Sequence, residues 1–124
     1  MALILVIEDE KDIRELCRRI LTRAGHEVVE ASNGEIGTRL YRQEPADLVI
    51  TDLFMPEKDG IEIIRELRRD FPEVKILAIS GGARAASGAT FLRVAAHLGA
   101  TATLAKPFST EDLLSAVTGA LEEK

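Results

Sequence analysis

The chain has 124 residues, one cysteine, 16 basic and 21 acidic side chains, and a formal charge of −5. That length fits one domain over residues 1–124, while 46% hydrophobic and 30% charged content supports a packed core under a soluble surface and excludes disorder. A lone cysteine excludes an internal disulfide, and a modestly acidic chain with no basic block argues against direct nucleic-acid binding.

Two periodicities alternate along the sequence. The first apolar run, Leu3–Ile7, has no positive residue before it and stops at Glu8-Asp9-Glu10. It is too short for a signal segment or a membrane span, so no membrane insertion and a cytoplasmic location are expected. Ile13, Leu16, Cys17, Ile20, Leu21 and Ala24 then recur at helical spacing, with Gly25 as the stop. Glu27–Ala31 is β-branched but polar at its ends, which suits an edge strand. Residues 35–43 form a weak helical pattern that Glu44-Pro45 ends, and Leu48–Thr51 is a continuously apolar third strand. Ile61, Ile64 and Leu67 carry a third helix to Asp70, broken by Phe71-Pro72. Val74–Ile79 reads as the fourth strand, an Ala-rich helix follows over 83–98, and Thr101–Leu104 is the fifth strand. The last helix covers 110–121, capped by Ser109 or Thr110.

Five strands, each followed by a helix, predict an α/β fold: a flavodoxin-like, doubly wound, five-stranded parallel sheet of order 2-1-3-4-5 with five helices. Ligands of such sheets lie beyond the C-terminal strand ends, here between the first and third strands. The residues at those ends are Glu8 and Asp9, then Asp52, Ser80 and Lys106. Taken singly, each is ordinary: acids before a helix, a turn aspartate, a loop serine, a surface lysine. Brought to one crevice, three acids against one lysine leave a local charge of −2. Two like charges about 4 Å apart cost about 4 kcal/mol at an effective dielectric of about 20. Such a cluster raises carboxyl pKa values or recruits a cation, and an all-oxygen donor set suits Mg²⁺. Too few protein ligands are present to seal the ion, which leaves coordination positions for a phosphate.

In order and spacing, Val6-Ile7-Glu8-Asp9-Glu10, residues 47–56 (DLVITDLFMP), Asp59-Gly60, Ile79-Ser80-Gly81 and Lys106-Pro107-Phe108 resemble a response-regulator receiver domain over the whole chain. The resemblance implies that Asp52 accepts a phosphoryl group from a sensor histidine kinase or a histidine phosphotransfer protein. It implies that Glu8, Asp9, Asp52 and the backbone carbonyl of Phe54 hold Mg²⁺, and that Lys106 and Ser80 contact the phosphoryl oxygens. A signalling phosphoacceptor is expected rather than an enzyme, switching contacts with a downstream protein through Ser80, the following loop and helix, and the last strand. The Lys106-Pro107 bond is a cis candidate that would aim the lysine into the crevice.

The sequence departs from the family pattern in three places. Thr103 stands where an aromatic switch residue is common. The Ser80–Lys106 segment is longer than usual, with the excess placed at 81–88 as a mobile loop or an extended fourth helix. Phe54 and Gly82 flank the site, and a bulky Phe54 is expected to exclude water and slow self-dephosphorylation. Rival functions fit less well. A flavin carrier needs hydroxyls and amides after the first strand, where Glu8-Asp9-Glu10 would repel a phosphate. An aspartyl phosphatase needs a second acid two residues after its nucleophile, where this chain has Phe54. A receiver without phosphorylation would be a scaffold only, but here each chemical residue is present.

Overall fold

The computed structural model describes residues 1–53, 55, 58–81, 93 and 95–123. Its elements run β1 (Leu3–Ile7), α1 (Lys11–Arg23), β2 (Glu27–Ala31), α2 (Gly34–Gln43), β3 (Leu48–Asp52), α3 (Gly60–Asp70) and β4 (Ile76–Gly81). Helix α4 is described at residues 93 and 95–98, and β5 (Ala102–Lys106) and α5 (Thr110–Glu122) complete the chain. Gly81, the first residue of the segment expected at 81–88, belongs to β4, and the rest of that segment with most of the expected fourth helix lies outside the described residues.

All five strands pair in parallel in the order β2-β1-β3-β4-β5, which is the predicted doubly wound sheet. β2 is indeed an edge, with only Ala31 fully buried. The inner strands are buried on both faces because alternate side chains serve two cores. Leu5, Ile7, Val49, Ile76 and Ala78 pack with Ile63, Ile64 and Leu67 of α3 and Tyr41 of α2. Ile4, Val6, Leu48, Ile50, Leu77 and Ile79 pack with Cys17, Ile20 and Leu21 of α1 and Leu113 and Val117 of α5.

Helix boundaries follow local chemistry. Asn33, Asp59 and Ser109 cap α2, α3 and α5, each accepting a bond from the backbone N–H three residues on. Gly25 and Gly99 follow α1 and α4 with φ of 95° and 117°, a conformation that favours glycine. Leu16 departs from the expected apolar stripe, at 39% exposure. Cys17, Ile20 and Leu21 centre the buried face of α1, which leaves Leu16 at its rim.

Two strands run further than their apolar patterns. β4 begins at Ile76 rather than Val74, because the Val74 amide closes a turn onto the Phe71 carbonyl at 2.9 Å. It continues through Ser80 and Gly81, which pair with Ala105 and Lys106 of β5. The sheet therefore carries its ladder to the residues of the crevice.

Candidate functional site

Strand register brings the site together. Ile7 pairs with Thr51 and Asp52 with Ile79, so Glu8, Asp52 and Ser80 all stand at the C-terminal edge of adjacent strands. Lys106 ends β5 and precedes a cis peptide bond to Pro107, as expected. Its Nζ donates to Glu8 Oε1 at 3.1 Å and to Asp52 Oδ2 at 3.0 Å. The side chains of Glu8, Asp52 and Lys106 are 3%, 5% and 13% exposed, so these charge-assisted bonds form in a desolvated setting. The Glu8 backbone is fixed as well, since its N–H donates to the Ala31 carbonyl at 3.0 Å.

The close approach of α3 sets the floor under Asp52. The Gly60 N–H donates to the Leu53 carbonyl at 3.3 Å. A Cβ at Gly60 would lie 2.5 Å from the Asp52 carbonyl oxygen and 2.7 Å from Leu53 Cα. The Asp59-Gly60 pair thus joins a helix cap to a contact that admits no side chain.

Charge is out of balance at this point. Burial, with the nearby Asp52 carboxylate adding to it, raises the Glu8 pKa to about 8 despite the opposing pull of Lys106. Burial lowers the Lys106 pKa, but attraction to Glu8 and Asp52 outweighs it and holds the ammonium above its ordinary value. The oxygens of Glu8, Glu10 and Asp52 come within 4.8 Å of one another, a grouping that fits a cation of the hard, oxygen-binding kind. One lysine does not neutralise that donor set, so the residues present suit a divalent ion.

Glu10 is the member that sequence reasoning missed. Its backbone is extended (φ −79°, ψ 115°) and its side chain makes no cap bond to α1. Asp9 forms a bend between the two glutamates, so which of the three acids share a side depends on backbone angles and not on residue type. Asp9 is exposed and lies outside the three-carboxylate group. Ser80 is fully buried, and among the described residues its Oγ has no hydrogen-bond partner. An orphaned buried hydroxyl costs about 1–3 kcal/mol, a cost that a bound acceptor would remove. Thr103 is exposed and sits with Ala105 on the opposite face of β5 from Leu104. Phe54 and Gly82 lie outside the described residues, and with them the Phe54 carbonyl ligand and the expectation of slow dephosphorylation.

The lone cysteine and the two histidines serve packing or lie at the surface. Cys17 is core, at 1% exposure. His26 accepts a bond from the Ala2 N–H at 3.2 Å, and His97 is exposed on α4. Among the described residues, no helix is long and apolar enough to cross a membrane.

The fold is that of a known signalling domain. A family model for the response regulator receiver domain matches residues 4–118, and the chain belongs to that family. Over 122 residues it is 34% identical to the response regulator receiver protein CpdR of Brucella abortus, covering 94% of each protein. It is 36% identical over 110 residues to the "Probable transcriptional regulator ycf27" of Guillardia theta, but spans only 41% of that longer protein. A response regulator receiver domain protein from Clostridium thermocellum superposes with a TM-score of 0.88 at 32% identity, covering 98% of this chain and 94% of that one. The receiver domain of NtrX from Brucella abortus gives 0.90 at 29% identity, with 98% and 99% coverage.

Proposed function

We propose that Asp52 accepts a phosphoryl group from a phosphohistidine of a sensor histidine kinase or histidine phosphotransfer protein, in a Mg²⁺-dependent reaction that alters contacts with a downstream protein. The observation that carries this reading is the Lys106 ammonium bonded to both buried carboxylates, beside a strand end whose buried serine hydroxyl has no partner among the described residues.

In the proposed step, an Asp52 carboxylate oxygen forms a bond to phosphorus as the donor's phosphorus–nitrogen bond breaks, and the electron pair leaves with the imidazole. Lys106 releases Asp52 to meet the phosphoryl oxygens, and the Ser80 hydroxyl donates to another of them. Positioning and charge neutralisation supply most of the catalysis in such transfers. When bound, Mg²⁺ supplies the positive charge that lets a phosphoryl dianion approach two carboxylates. Glu8 and Asp52 are its ligands on this reading. Asp9 and the Phe54 carbonyl complete the set that the family resemblance implies, and the described geometry favours Glu10 as an alternative to Asp9. Switching then runs through Ser80 and the β4–β5 ladder, with Thr103 in place of the usual aromatic.

A small acyl phosphate tests the reaction without a kinase. Intact mass is expected to show one phosphoryl adduct with Mg²⁺ present and none after chelation. An adduct that forms equally well in chelator would contradict the metal dependence. Asp9→Asn and Glu10→Gln assign the third carboxylate, since the true ligand's variant should need more Mg²⁺ for the same adduct yield.

A further inference from the structure

The acidic turn between β1 and α1 is gripped by a cation that belongs to the helix itself. Arg14 Nη1 donates to the Glu8 backbone carbonyl at 2.8 Å, and the Arg14 backbone N–H donates to the Glu10 carbonyl at 3.0 Å. One residue therefore holds the turn on both sides of Asp9. The guanidinium is aimed from β2: Arg14 Nε lies 3.4 Å from Glu30 Oε1, and Arg18 Nε lies 3.4 Å from Glu30 Oε2. The Arg14 side chain is 18% exposed, so these contacts are largely sheltered from solvent. No side-chain cap fixes the start of α1, so the Glu8 carbonyl bond supplies a restraint that the helix terminus lacks.

We propose that Arg14 is a positioning residue for the divalent-cation site, with Glu30 orienting it. By fixing the Glu8 carbonyl, Arg14 sets the peptide plane leading into Asp9 and so the direction in which the turn presents its acids. This inference rests on the metal-site reading above. Groups that orient ligands without touching the metal are commonly worth about 10- to 100-fold in affinity. The sign of the effect is diagnostic. Removing a positive charge near an acidic site should by itself tighten cation binding, whereas losing the restraint should weaken it.

The test is a Mg²⁺ titration of the full chain, followed through the backbone amide resonances of the turn in wild type, Arg14→Ala, Arg14→Lys and Glu30→Gln. Binding should weaken about tenfold in Arg14→Ala, with Arg14→Lys and Glu30→Gln between it and wild type. In metal-free protein, the Asp9 and Glu10 amides of Arg14→Ala should exchange hydrogen faster, while core amides of β1 and β3 stay protected. A metal-bound state is not needed for that second readout. Mg²⁺ binding in Arg14→Ala as tight as in wild type, or tighter, would overturn the inference and leave the metal site standing. A wild-type protein that binds no Mg²⁺ would overturn both.

Discussion

Lys106 stands where two buried carboxylates would otherwise face each other. Its bonds to Glu8 and Asp52 hold one oxygen of each acid, and removing a partner from such a buried set typically costs about 3–5 kcal/mol. The sequence named both acids and the lysine because strand ends in this topology converge on one edge. It did not reveal that Glu10 joins them, since that depends on the backbone angles of the turn and not on residue type. Cys17 makes a separate prediction at this scale. Burial above all, with Glu8 adding to it, pushes its thiol up to about 12 from the ordinary 9.0. The native thiol should resist alkylation at pH 8 and react promptly once urea unfolds the chain. Rapid modification of native protein would contradict the burial. Because the folded value is the raised one, no stability is lost below pH 9; between pH 9 and 12 the unfolded thiol ionises first and stability falls.

Among the elements, α5 carries the best-defined boundary. Ser109 Oγ accepts from the Asp112 N–H at 3.0 Å, and an Asp112 carboxylate oxygen accepts from the Ser109 N–H at 3.0 Å, a reciprocal capping box. Ser109→Ala should lower stability by about 1 kcal/mol, read as a shift in urea midpoint at unchanged slope. No shift would mean that packing of Leu113 and Val117 alone sets the helix start. Strand limits were harder to read than helix limits. Apolar runs locate β1 and β2 at their observed bounds, Leu3–Ile7 and Glu27–Ala31, yet miss the ends of β4 and β5. The reason is chemical: Ser80, Gly81 and Lys106 lie in the hydrogen-bonded ladder but are not hydrophobic, so the apolar pattern stops before the strand does. Val74 errs the other way, buried at 3% exposure but folded into the turn after α3.

Across the whole molecule, one sheet divides two cores, and Glu8, Asp52 and Ser80 stand together at the C-terminal ends of the adjacent strands β1, β3 and β4. That arrangement separates labour physically: Ile4, Leu48 and Leu77 are fully buried mid-sheet and hold the frame, while the costly charges sit at its rim. The sheet order and the convergence of Glu8, Asp52, Ser80 and Lys106 were legible because periodicity and crossover handedness leave few alternatives. How the protein passes a signal outward is less legible, since Thr103 is exposed and carries no aromatic ring. Chemical trapping addresses the central claim most directly. The protein is treated with a small acyl phosphate and Mg²⁺, reduced with borohydride, and mapped by peptide mass. An aspartyl phosphate at Asp52 predicts reduction of that single side chain to homoserine. Homoserine at another acid, or none at all while the adduct is present, would contradict Asp52 as the acceptor.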